Sequence, residues 1–214
     1  MIVSTNLILW PIERQDLNKN YIWANDLELT RWAGATPLPR SSQDLEQWFR
    51  NLGLNPEQHI FAIKTHNGEY LGNIEFRGLD LRCGNAEIGI LIGERSAWGK
   101  GVGTEAIRTL CNFGFGELRL HRLYARVLAL NARAAHLFAK CGFTLEGTER
   151  QAYFQNGRYL DVQIWGLLED EFHYGAAPGA VKGAANAGDG VLVANDGVLN
   201  ANDGVSTPNS DNNK

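Results

Sequence analysis

Between residues 59 and 93 the chain alternates apolar and polar positions in three runs, separated by two tight turns, Asn67-Gly68 and Gly84-Asn85. Asn-Gly between alternating runs is the strongest local signal for a hairpin, so 59–65, 70–81 and 86–93 are expected to form an antiparallel meander. A meander needs cover for its apolar face, and the next segment supplies it. A glycine-rich loop over 94–103 leads into a helix over 104–117, with Ala106, Leu110 and Phe113 on one side. A strand over 122–128 follows, then a helix over 131–141 closed by Gly142, then two strands over 143–154 and 158–168 around Asn156-Gly157. Ahead of the meander lie a strand over 6–10 and a helix over 14–25 carrying Leu17, Tyr21 and Trp23. A third helix there follows Ser41 and Ser42 and presents Leu45, Trp48 and Phe49. This order predicts an α+β fold: a mixed, mostly antiparallel sheet with helices on both faces.

The periodic patterning covers residues 1–172, which is read as one domain. From His173 to Lys214 the composition shifts to Ala, Gly, Asn, Asp and Val, and no aromatic residue follows Tyr174. Such a segment buries too little apolar surface to offset its ordering entropy, so 173–214 is expected to be a disordered tail. Within it Asp-Gly-Val recurs at 189, 196 and 203, a seven-residue step. Calcium-binding Gly-Asp arrays repeat every nine residues, and the Asp-Gly pairs break helices, so a flexible expansion is the better reading. The formal net charge of −4 excludes a broadly basic nucleic-acid clamp. No apolar run approaches membrane-spanning length, and the N-terminus carries no signal-peptide pattern, so no membrane partner is expected. Cys83, Cys111 and Cys141 lack CxxC spacing and read as reduced thiols of a cytoplasmic protein, without a zinc site. The histidines have no partners at ligand spacing, and no metal is expected.

The chemistry concentrates in Arg95-Ser-Ala-Trp98-Gly99-Lys100-Gly101-Val102-Gly103-Thr104. A loop that follows a strand and opens a helix offers backbone N–H groups and the helix dipole to a phosphate, and its glycines let the backbone approach closely. Glycines alternate strictly here, and Gly101 follows Lys100, so neither a nucleoside-triphosphate P-loop nor a dinucleotide fingerprint fits. By itself the loop also fits a turn without a ligand. A second segment, Asn131-Ala-Arg-Ala-Ala-His-Leu-Phe138-Ala-Lys-Cys-Gly-Phe143, lies one helix and one strand further on. Together the two segments resemble the GNAT superfamily of acyl-CoA-dependent N-acyltransferases, over residues 5–170. With the strand around Ala86-Glu87-Ile88-Gly89-Ile90 and the run over 150–162, they look most similar to the RimJ/RimL-like branch.

The resemblance implies a GNAT-type sheet whose central strands splay apart to admit the pantetheine arm of acetyl-CoA, the expected co-substrate. Backbone groups of Leu91, Ile92 and Gly93 would meet that arm. The pyrophosphate would sit on the amides from Trp98 through Gly99, Lys100, Gly101, Val102 and Gly103 to Thr104. Asn131 would reach the cofactor, or serve simply as a helix N-cap. The reaction is direct attack of a primary amine on the thioester through a tetrahedral intermediate. The amine belongs to a small molecule or a protein N-terminus, and the attack needs a base. Glu87 is the expected base, with a structural carboxylate paired to an arginine as the competing reading. Trp32 and Tyr153 are the expected substrate contacts. The chain departs from the family pattern at Phe138, where a tyrosine acid is frequent, and at Arg126, Tyr153 and Ala134. The first of those three stands where the family places another glutamate base. The other two stand where RimL-like proteins carry Glu and Ser. The alternative that these departures keep open is a non-catalytic acyl-CoA-binding module. A homodimer is the working expectation for assembly, though no residue pattern specifies it.

Overall fold

The computed structural model describes residues 1–35 and 37–173. The expected tail therefore lies outside the described residues, apart from His173. One eight-stranded sheet runs through the molecule, built from β1 (Ile2–Val3), β2 (Leu7–Pro11), β3 (His59–Thr65), β4 (Tyr70–Asp80), β5 (Asn85–Ile92), β6 (Arg122–Leu128), β7 (Thr144–Gln155) and β8 (Arg158–Leu168). Its spatial order is β1-β2-β3-β4-β5-β6-β8-β7. Every pairing is antiparallel except β5 with β6.

The two mid-chain turns form as their residues require. Gly68 adopts φ 82° and closes back on the Thr65 carbonyl at 2.9 Å. At the other turn the Asp80 carboxylate accepts from the amides of Arg82 and Cys83, both at 2.8 Å, and Gly84 turns the chain at φ 68°.

Alternation along the meander separates two cores. Ile74, Phe76, Ala86, Ile88, Ile90 and Ile92 join one apolar cluster with Ala106, Ile107, Leu110 and Phe115 of α4 (Val102–Gly116) and with Leu137 and Phe138 of α5 (Ala132–Lys140). Phe138 is fully enclosed and packs edge-on against Phe143. α5 ends on paired C-terminal bonds, Gly142 N–H to Ala139 C=O and Phe143 N–H to Phe138 C=O, with Gly142 at φ 100°. The opposite face carries α1 (Leu17–Ala24), α2 (Leu27–Trp32) and α3 (Ser42–Asn51), whose Trp23, Leu29, Leu45 and Trp48 pack with Ala62 and Tyr70.

Two expectations change. The continuous helix over 14–25 is a 3-10 turn over Arg14–Asp16 followed by α1, because Asp16 closes a capping box on the Glu13 amide and starts the helix later. Residues after Asn25 form α2, where no element is expected from the sequence. Asp26 caps it by accepting from the amides of Glu28 and Leu29, and enclosing Leu29 contributes on the order of 2 kcal/mol. Disruption of this short helix is expected from Leu29→Ala.

The feature that positions the site is where β5 and β6 part. Their register runs Asn85↔Arg122, Ala86↔Leu123, Glu87↔Tyr124 and then stops, although β5 continues to Ile92 and β6 to Leu128. Residues 88–92 and 125–128 therefore diverge as the two arms of a V.

Candidate active site

At the head of the V the glycine-rich segment folds into a cradle. Gly99 and Gly101 take left-handed φ values of 75° and 80°, and Gly101 is the N-cap of α4. The first intrahelical bond runs from Glu105 N–H to Gly101 C=O at 3.0 Å, so the amides of Val102, Gly103 and Thr104 emerge from the helix end without intrahelical acceptors. Lys100 is exposed beside them. Thr104 is buried, and its Oγ1 has no hydrogen-bond partner. Orphaned buried hydroxyls are costly, and this one sits in the first helical turn beside outward-facing amides, which is the donor set a pyrophosphate requires. The residues present thus fit the phosphate end of acetyl-CoA.

Trp98 plays a different part from the one expected. Its amide N–H donates to the Arg95 carbonyl at 3.1 Å, and its indole Nε1 donates to the Ile92 carbonyl at 2.9 Å. It is a strut that ties the loop to the end of β5, and the cradle begins after it. Arg95 and Arg133 flank its ring, with guanidinium carbons 5.2 and 5.4 Å from the centroid. Leu91 pairs with Asn73 of β4, and Gly93 lies under the Trp23 ring, where a Cβ would come within 2.1 Å of Trp23 Cδ2. Asn131 is the N-cap of α5: its Oδ1 accepts from Ala134 N–H at 3.0 Å and its Nδ2 donates to the Trp32 carbonyl at 3.4 Å.

Below α1–α3, on the other face of the diverging strands, lies a small cavity that opens to solvent. Trp23, Leu29, Leu45, Trp48 and Leu91 form most of its wall, and Asn20, Asn73, Glu75 and Arg77 supply its polar floor. Asn73, Glu75 and Arg77 stand at alternate positions of β4 and so share a face, as do Glu87, Gly89 and Leu91 of β5. Arg77 grips Glu75 through Nε and Nη2 at 2.8 and 2.6 Å, and its Nη1 lies 3.5 Å from Glu87. Gln58 Nε2 donates to the other Glu75 oxygen at 2.8 Å. Burial alone would lower Arg77, but Glu75 and then Glu87 overcompensate, so its guanidinium is held charged. Gly89 makes room for this fork: a Cβ there would lie 2.9 Å from Arg77 Cζ and from Glu75 Oε1.

Behind the floor runs a closed ring of three side chains. The Tyr70 hydroxyl donates to Asn73 Oδ1 at 2.5 Å, Asn73 Nδ2 to Asn20 Oδ1 at 2.7 Å, and Asn20 Nδ2 to the Tyr70 hydroxyl at 2.9 Å. Burial pushes the Tyr70 phenol well up, so it remains a donor and fixes both amides.

Of the expected site residues, the structure brings Gly99, Lys100, Gly101, Val102, Gly103 and Thr104 together at the cradle. Leu91 lies on the cavity wall. Glu87 is buried at the crotch of the V, opposite Tyr124, whose phenol is pushed up by burial and then by the Glu87 carboxylate. Trp32 and Tyr153 do not line the cavity. Trp32 is half-exposed and contributes its carbonyl to Asn131, and the Tyr153 hydroxyl donates to the Ala35 carbonyl at 3.4 Å. Both brace the roof over the cavity. Asn20, Asn73, Glu75 and Arg77 escaped the sequence reading. Only the same-face spacing of 73, 75 and 77 inside a strand hinted at them, and that spacing does not say which face is enclosed.

Roof and cradle are joined. Arg95, at the entrance of the loop, forks onto Asp26 and Glu28 at 2.8 Å each, at the N-terminus of α2. The other end of α2 is held by Asn131 and by Gln155 Nε2 on the Arg31 carbonyl at 2.7 Å. Among the described residues no group of His, Cys, Asp and Glu could hold a metal, and no helix is long and apolar enough to cross a membrane.

This arrangement has known counterparts. The family profile described as "Acetyltransferase (GNAT) domain" matches residues 6–144. The chain is 32% identical over 174 residues to the uncharacterized N-acetyltransferase p20 of Bacillus licheniformis, covering 80% of this chain and 97% of that one. It is 32% identical to the putative ribosomal N-acetyltransferase YdaF of Bacillus subtilis, over 79% of this chain and 95% of the other. Among solved structures it superposes on spermidine N-acetyltransferase from Vibrio cholerae in complex with CoA and spermine, with a TM-score of 0.73 and 27% identity, covering 78% of this chain and 98% of that one. With the cradle, the V and the cavity in place, the chain belongs to the GNAT family of acetyl-CoA-dependent N-acetyltransferases.

Proposed function

We propose that the cavity beneath α1–α3 receives the acceptor amine and that Glu87 takes its proton. Acetyl-CoA supplies an activated acyl carbon and a sulfur that leaves as a thiolate near an ordinary thiol pKa. The chain does the rest. The amides of Val102, Gly103 and Thr104, with Lys100 nearby, bind the phosphates. The diverging β5 and β6 admit the arm between them and aim its end at the cavity side, and the α2 roof keeps water out. The observation that carries the reading is the position of Glu87: it is the last paired residue before the V opens, outside the cavity lining but on the strand face it shares with Leu91 of the cavity wall.

Arg77 divides the labour between the two glutamates. It binds Glu75 twice at short range and approaches Glu87 once at 3.5 Å, so its two strong bonds go to Glu75. Phe138, enclosed in the opposite core, supplies no acid, and thiolate departure needs none. In Glu87→Gln, kcat for CoA thiol release is expected to fall about 10²–10⁴-fold with the KM for acetyl-CoA unchanged. A variant with full kcat would remove Glu87 from the reaction.

The small apolar cavity takes a compact amine, the working choice over a protein N-terminus. At branch level, the RimJ/RimL-like resemblance is supported by the similarity to a putative ribosomal N-acetyltransferase. Against ribosomal substrates stand Ala134, buried in the core, and Tyr153, outside the cavity. A homodimer is supported by the exposed edge strand β7, where Phe154 meets Tyr159 of β8 edge to face, and light scattering of the purified chain reads it directly. A reducing, cytoplasmic setting is supported by the three free cysteines.

A further inference from the structure

We infer that Asn73 selects the acceptor: one carboxamide N–H, left over from the ring of side chains behind the cavity floor, donates to a hydroxyl or carbonyl oxygen carried by the amine. The acceptor is thus an amine that bears an uncharged oxygen, as amino alcohols and amino amides do, and not a plain alkyl or arylalkyl amine. This assignment rests on the proposed role of the cavity and narrows it.

The two amides of the ring are oriented from the backbone outward. Asp16 is held by its bond from the Glu13 amide and by Lys64 Nζ at 2.9 Å, and its carbonyl accepts from Asn20 Nδ2 at 3.2 Å. A carbonyl can only accept, so that end of Asn20 is its NH2 group and the Oδ1 turns toward Asn73. Asn73 must then offer Nδ2 to Asn20, at 2.7 Å, and Oδ1 to the Tyr70 hydroxyl, at 2.5 Å. The single phenolic proton goes to that oxygen, ahead of Asn20 Oδ1 at 3.1 Å, and burial of the phenol keeps it there. The Tyr70 ring packs against Trp23, with centroids 4.8 Å apart, and so holds its hydroxyl in place.

One donor is then left over. Asn20 spends both of its N–H groups, on the Asp16 carbonyl and on the Tyr70 oxygen. Asn73 has two and spends one, on Asn20; among the described residues no oxygen accepts the other. Arg77, on the same face of β4, gives three of its five N–H groups to Glu75 and Glu87 and adds donors to the floor. Buried N–H groups without an acceptor are rarer and costlier than oxygens with a spare lone pair. Asn73 is only 4% exposed and lines the cavity, so the partner of this N–H is whatever the cavity receives. An amine without an oxygen would strand the donor on closing the cavity to water, whereas an oxygen-bearing one satisfies it.

The test is initial-rate CoA thiol release by the full chain at saturating acetyl-CoA, with paired amines that differ in a hydroxyl or carbonyl oxygen. The pairs are propanolamine against butylamine, phenylethanolamine against phenethylamine, and glycinamide against isobutylamine. Each pair's ratio of kcat/KM in the wild type is divided by the same ratio in Asn73→Leu, which cancels differences in intrinsic reactivity. For at least one pair the quotient is expected to be about 10–100 in favour of the oxygen-bearing amine. Tyr70→Phe keeps the ring on Trp23 but releases the Asn73 oxygen, and should lower the wild-type ratio at least about fivefold through the KM of the oxygen-bearing amine. That variant carries the test where Asn73→Leu fails to fold. A quotient near one for every pair, or a preference that persists in both variants, would overturn the inference and leave the acetyltransferase reading standing. Release with none of the amines, while acetyl-CoA still raises the melting temperature, would overturn it together with the cavity's role as acceptor site.

Discussion

Arg77→Met removes the single cation between Glu75 and Glu87 while keeping much of the side chain's length. In the wild type, the side chains of Arg77, Glu75 and Glu87 are only 12%, 4% and 9% exposed, so water cannot screen what is left behind. Deleting one partner of a buried ion pair costs about 3–5 kcal/mol, and here two carboxylates lose the same partner. For a chain of this size each kcal/mol moves Tm by about 2–4 °C, so the variant should melt about 6–20 °C lower. Glu75→Gln alone keeps the Arg77–Glu87 contact and should cost about 1–3 kcal/mol. The double variant leaves only Glu87 charged and should recover about 2 kcal/mol relative to Arg77→Met. Urea unfolding of the four proteins at neutral pH closes the cycle, with an expected coupling of about 3–5 kcal/mol. Additive single effects, or a loss below about 1 kcal/mol in Arg77→Met, would refute the buried-charge reasoning behind the cavity floor.

Three further outcomes are expected. Thr104→Val removes a buried hydroxyl without a partner, so the unliganded protein should gain or hold stability within about 1 kcal/mol, while the KM for acetyl-CoA rises about tenfold at unchanged kcat. Equal KM values would detach Thr104 from the cradle. Glu105 joins α4 to the chain between β1 and β2 by accepting from Ser4 Oγ and the Asn6 amide at 2.7 and 2.6 Å. Burial would raise its carboxyl, but the bonds from Asn6 and Ser4 outweigh it and hold it below 4.5. Its stabilisation is therefore present above that value and lost as pH falls through the lower folded one. Glu105→Gln should be less stable by about 1 kcal/mol at neutral pH, given its partly open position, and the gap should close on acid titration. A gap that persists in acid would contradict that sign. Gly93→Ala places a Cβ 2.1 Å from the Trp23 ring, so it should cost about 1–3 kcal/mol and raise the amine KM, by unfolding and steady-state assays respectively.

The elements legible from sequence were those with local causes. The strand boundaries of β3 and β6 follow from alternation, and the end of α5 follows from Gly142, because a turn or cap is decided by a few neighbouring residues. The cradle was legible for the same reason, as glycines, a strand end and a helix start lie within ten positions. α2 was missed because six residues carry too little periodicity, and its Asp26 cap was the available signal. The strut formed by Trp98 is not legible in the sequence, because its bonds to Arg95 and Ile92 depend on how the loop closes. The polar floor was out of reach: alternation puts Asn73, Glu75 and Arg77 on one face, but only the packing of α1–α3 decides that this face encloses a cavity.

The fastening of α2 bears on how acceptor preference can diversify. Its anchors are two outward carboxylates at one end and two backbone carbonyls, those of Arg31 and Trp32, at the other. Backbone carbonyls survive any side-chain replacement, and Asp26 and Glu28 do not line the cavity. The inward positions Thr30 and Ala33 can therefore change their chemistry without cutting these anchors or the tie from Arg95 to the glycine-rich loop, whereas Leu29 also holds the helix by its burial. On the proposed assignment of the cavity to the acceptor, the roof works as an exchangeable cassette, in which selection can rewrite acceptor contacts while the glycine-rich loop stays untouched.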